Sequence, residues 1–118
     1  MKGETNMAKL ETTLRGSLDQ WAEKIETGLL EGSISASVAE RSAFRAPDGS
    51  SQCRVLVFER FSMLASDWLS LSVTLFQDNT GLIHCSAISS GSGSLDALGV
   101  GALGGKSFLG RLRKLLEQ

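Results

Sequence analysis

A chain of 118 residues with 42% hydrophobic content fits one domain able to bury a core without metal or disulfide staples. Twelve basic against 13 acidic residues give a net charge of -1 and a pI near 5.8, which removes the electrostatic footprint of a nucleic-acid binder. No apolar run approaches the roughly 18 residues of a membrane span.

Residues 1–6 lack a signal-peptide core and read as a leader or a disordered N-terminus, with Met7 as the natural start; residues 7–118 are expected to form a single cytoplasmic domain. From Lys9 to Arg15 apolar and charged residues alternate, the mark of an edge strand. Gly16 breaks it. Ser17-Leu18-Asp19-Gln20 is a capping box, and Leu18, Trp21, Ala22, Ile25 and Leu29 then recur at helical spacing until Gly32. This helix needs a sheet to cover, with Trp21 between the two.

Ser33 to Ala39 alternates again, and the strand is expected to extend through Phe44 to a turn at Pro47-Asp48-Gly49. Gln52 to Phe61 forms the next strand, with apolar groups on both parities, as a central strand has. Trp68 to Phe76 alternates most clearly: Leu69, Leu71, Val73 and Leu75 face one way, Ser70, Ser72, Thr74 and Phe76 the other. Asp78-Asn79-Thr80-Gly81 turns the chain into Leu82 to Ser89. Residues 90–105 are glycine-rich and read as a flexible connector. Phe108, Leu112, Leu115 and Leu116 then form the apolar face of a second helix.

The expected fold is therefore α+β in two layers: an antiparallel β-meander sheet covered on one face by two amphipathic helices, in the order β-α-β-β-β-β-α. This order resembles the TATA-binding-protein-like and helix-grip topologies, a likeness that implies no activity. Ile34, Val55, Val57, Leu71, Val73 and Ile83 are assigned to the core layer. The opposite layer carries Leu56, Phe58, Phe76, Leu82 and Ile88 among hydroxyls, rimmed by Arg54 and Arg60.

Motifs that suggest chemistry fail on context. Gly99-Val100-Gly101-Ala102-Leu103-Gly104 matches a dinucleotide fingerprint, but no βαβ unit surrounds it and too little chain follows for the ribose-binding acid. Gly105-Lys106-Ser107 resembles the end of a phosphate loop, yet position 100 is valine where glycine is required. Cys53 and Cys85 have no metal-ligand spacing and read as reduced core thiols on strands about 10 Å apart, beyond disulfide reach. His84 shares a parity with Ser86, Ser70, Ser72 and Thr74, but a flat strand lacks the sharp elbow that exposes a nucleophilic serine. Glu59 and Arg60 have opposite parity and do not form an acid-base couple. No catalytic residue, metal site or cofactor is expected.

The segments Gly32-Ser33-Ile34-Ser35-Ala36-Ser37, Val57-Phe58-Glu59-Arg60-Phe61-Ser62-Met63, Leu69-Ser70-Leu71-Ser72-Val73-Thr74-Leu75 and Ser86-Ala87-Ile88-Ser89-Ser90-Gly91 together resemble a family of small bacterial proteins of unknown function, DUF6054. The resemblance implies no activity, substrate or cofactor. The residues themselves point to a non-enzymatic interaction module, a homodimer joined through the uncovered sheet face by Leu56, Phe58, Ser70, Ser72, Thr74, Phe76, His84 and Ser86, because apolar patches rimmed by hydroxyls are uncommon on monomers. The alternative is a carrier holding a small apolar ligand between sheet and helices. Neither nucleic acid nor membrane is an expected partner.

Overall fold

The computed structural model describes residues 8–63, 66–91 and 107–117. Its elements are β1 (Ala8–Leu14), α1 (Leu18–Glu31), β2 (Ser37–Arg45), β3 (Gln52–Ser62), β4 (Asp67–Gln77), β5 (Ile83–Gly91) and α2 (Phe108–Leu116). All strand pairs are antiparallel, in the spatial order β1-β5-β4-β3-β2. The fold is the expected α+β arrangement, with β2 to β5 a meander and β1 added at one edge.

Local chemistry explains where the elements begin and turn. Ser17 caps α1, its hydroxyl oxygen accepting from the Gln20 amide at 3.2 Å. Ser107 caps α2 in the same way, accepting from the Gly110 amide at 2.9 Å. That hydroxyl is buried and is engaged by the helix cap. Between β2 and β3 the Asp48 carboxylate accepts from the Ser50 amide at 2.9 Å, and Gly49 takes a positive φ of 76°. The helices cross closely because Gly28 of α1 has no side chain: a Cβ there would collide with Leu115 of α2.

The core lies between the helices and one sheet face. Ile25 and Leu29 of α1 and Phe108 and Leu112 of α2 meet Leu56, Phe58, Leu71, Val73, Leu75 and Ile83, all essentially without solvent contact. Register fixes which β3 parity is inside: Leu56 stands opposite Val73 and Phe58 opposite Leu71. This corrects the expected layering. Leu56 and Phe58 belong to the covered face, whereas Val55 and Val57 pair with Thr74 and Ser72 on the bare one.

The charges at this face follow suit. Arg54 and Arg60 do not rim the bare face but reach under the helices, Arg54 to Asp19 at 2.5 Å and Arg60 over the Phe108 ring at 4.9 Å. Ile34 is also not core. It is fully exposed in the loop before β2, and the strand begins only at Ser37 because Ser35 clips this loop to β3, its hydroxyl accepting from the Phe61 amide at 3.0 Å. Leu82 falls in the turn, and Trp21 is only partly buried, its indole donating to the Arg15 carbonyl at 2.8 Å. The expected connector loses its first two residues, since Ser90 and Gly91 complete β5; the rest of it lies outside the described residues.

Candidate interaction face

The bare side of the sheet is built by the residues that alternate with the core. Four strand-to-strand registers resolve it into rows. One row runs Thr13, His84, Phe76, Cys53, Phe44 from β1 to β2; the next runs Glu11, Ser86, Thr74, Val55, Ser42; the middle row is Lys9, Ile88, Ser72, Val57, Glu40. Ser90, Ser70, Glu59 and Ser37 follow, and Trp68 beside Phe61 closes the far end.

The face has aromatic ends, and between them hydroxyls alternate with Val55, Val57 and Ile88, flanked by the edge charges Lys9 and Glu40. At one end Phe44 is 65% and Phe76 40% exposed; at the other Trp68 is 53% exposed and meets Phe61 edge-on, ring centroids 5.6 Å apart. Ile88 stands near the middle, 41% exposed. The Ser70 and Ser90 hydroxyls bond to each other at 2.8 Å, a bond that takes one of the pair's two hydroxyl hydrogens and leaves the other to donate outward.

Of the expected interface residues, Ser70, Ser72, Thr74, Phe76, His84 and Ser86 do share this face. Leu56 and Phe58 are removed to the core for the reason given above. Phe44, Val55, Val57, Phe61 and Trp68 join the face; the parity of β3 supplies Val55, Val57 and Phe61, while Phe44 comes from β2 and Trp68 from β4. Cys53 joins it too and is half-buried in the row of Phe76, while Cys85 is buried on the covered face; the two thiols lie on opposite sides of the sheet. Burial pushes the Cys85 thiol up to about 11.

The one histidine is held by the β4-β5 turn, its Nε2 3.0 Å from Asp78 Oδ2. Asp78 Oδ1 accepts from the Thr80 hydroxyl at 2.5 Å and from the Thr80 and Leu82 amides at 2.9 and 3.2 Å. The Thr80 bond first and the His84 bond second hold this carboxyl well below the usual carboxylate range. The Thr80 hydroxyl therefore binds the acid and not the imidazole, the opposite end from where a nucleophile is activated. Among the described residues, no three His, Cys, Asp or Glu side chains gather to hold a metal ion.

Grooves line the covered side of the sheet among the described residues, and two of them are the larger. One, of about 510 Å³, runs between α1 and the β2-β3 edge and is lined by Asp19, Glu23, Glu26, Arg41 and Arg54. Two ion pairs cross it, Arg54 with Asp19 and Arg41 with Glu26; Arg41 grips Glu26 through two bonds of 2.6 and 3.0 Å, and the guanidinium holds the Glu26 carboxyl below its ordinary range. The other, of about 460 Å³, lies where Ile34 and Met63 flank Arg60 and Phe61.

Among known protein families, the model for a family of unknown function (DUF6054) matches residues 7–118. No curated protein and no solved structure matches the chain.

Proposed function

The chain belongs to the DUF6054 family of unknown function, and we propose that it is a non-enzymatic interaction module that works in the cytoplasm as a homodimer joined through its bare sheet face. The observation that carries this reading is the exposure of Phe44, Phe76, Ile88 and Trp68 on one continuous layer. Such a layer costs free energy when left in water and is uncommon on monomers.

The dimensions support a second copy as the partner. Five strands spaced about 4.8 Å apart, averaging about nine residues at about 3.3 Å each, span a face of roughly 700 Å². Specific stable interfaces take about 600 to 1,000 Å² from each partner, so the sheet face falls inside that range only when used from edge to edge. The edges themselves are poor candidates, because β1 carries Lys9 and Glu11 and β2 carries Glu40, Arg41 and Arg45, charges of the kind that block strand addition. Free thiols kept apart by the sheet suit a reducing compartment.

The test residue is Ile88, which lies between Lys9 and Ser72 and so leaves room for a carboxylate in the monomer. Sedimentation velocity should show a dimer for the wild type and a folded monomer for Ile88→Glu at micromolar concentration. A monomeric wild type, or a dimer untouched by Ile88→Glu, would remove the sheet face from the account.

A further inference from the structure

A face-to-face dimer has its twofold axis in the plane between the sheets, and an aligned packing leaves two choices, along the strands or across them. The charges on the rows decide between them. An axis across the strands through the middle row would set each of its residues on its own copy, Lys9 on Lys9 and Glu40 on Glu40. It would also exchange the rows above and below, laying the Glu59 carboxylate on the partner's Val55, an apolar group that offers it no donor.

An axis along β4 keeps every row and reverses its order. Lys9 then meets the partner's Glu40, Ile88 meets the partner's Val57, and Ser72 meets itself at the centre. One row on, Glu59 meets the partner's Ser90, whose hydroxyl can donate to it. We propose that the homodimer, on the reading given above, is built about an axis along β4, with two symmetric Lys9 to Glu40 pairs closing its opposite edges.

Both groups are available for this. Lys9 makes a loose contact with Glu11 at 3.7 Å, both side chains about 60% exposed, and Glu40 is exposed on β2. Because the twofold repeats each pair, one reversed charge creates two repulsions. The arrangement also accounts for why edge charges coexist with an apolar face: they set the orientation, which the apolar groups alone would not do.

The experiment is sedimentation equilibrium at low and high salt on Lys9→Glu, Glu40→Lys and the doubly exchanged chain, with circular dichroism to confirm that each remains folded. Each single exchange should raise the dimer Kd by about tenfold at low salt, less at high salt, and the double exchange should restore it to within about threefold of wild type. Single exchanges without effect, on a dimer that Ile88→Glu still dissociates, would keep the sheet face and overturn the axis. A double exchange weaker than either single would overturn the pairing. A wild type that is monomeric throughout overturns the interface and the axis together.

Discussion

Phe58 of β3 and Leu71 of β4 face each other across the strand ladder, both fully buried beneath the helices. Their neighbours Val57 and Ser72 necessarily point the other way, so this one pair decides what the bare face carries. Phe58→Ala should cost about 3 to 5 kcal/mol, because the lost transfer energy and the cavity add. Val57→Ala should cost well under half of that in the monomer. Equal losses in urea titrations would mean that the β3 parity is wrong.

That parity was the part of the fold least legible in the sequence. In β4 the alternation of Leu69, Leu71, Val73 and Leu75 with hydroxyls leaves only one way to bury the strand. In β3, Cys53, Val55 and Val57 alternate with Arg54, Leu56 and Phe58, and the arginine argues against the larger side chains being inside. The objection fails because Arg54 sits near the strand start, where its long stem carries the charge out to Asp19 at the first turn of α1. Ile34 misled for a related reason: Ser33 to Ser37 alternates like a strand, but Ser35 spends its hydroxyl on the β3 backbone and holds a loop there. The helix caps and turns were readable because each depends on residues within a few positions.

The two helix caps should differ in weight. Ser107→Ala removes a buried hydroxyl whose amide partner has no ready access to water, and should cost about 1 to 2 kcal/mol. Ser17→Ala removes an exposed bond and should cost less. Thermal or urea midpoints of the two variants give the comparison directly.

The Asp78 turn should make stability acid-sensitive. Its carboxyl is held below the ordinary range in the folded protein, so the stabilisation is fully present above about pH 4 and is lost as pH falls through the folded value. Asp78→Asn should be less stable than wild type near pH 6, with the gap narrowing below pH 4. A gap that stays constant over this range would show that the charge of Asp78 contributes nothing. At the alkaline end the sign reverses for Cys85: its raised thiol favours the folded state below about pH 8.5, a contribution lost as pH rises toward 11. Cys85→Ala should flatten that limb.

The two cysteines also report separately on the two sides of the sheet. Cys85 is buried under the helices and its thiol is pushed up, so it should resist alkylation at neutral pH until the chain unfolds. Cys53 lies half-buried on the bare face, beside Phe76 and Phe44. The rate at which iodoacetamide modifies Cys53 in the folded wild type, followed by mass spectrometry as protein concentration rises, is therefore a direct reading of whether that face becomes covered. The rate should fall in step with the change from the 12.6 kDa protomer to twice that mass, and Ile88→Glu should abolish the fall. A Cys53 rate independent of concentration while the dimer forms would place the contact elsewhere on the molecule and contradict the account.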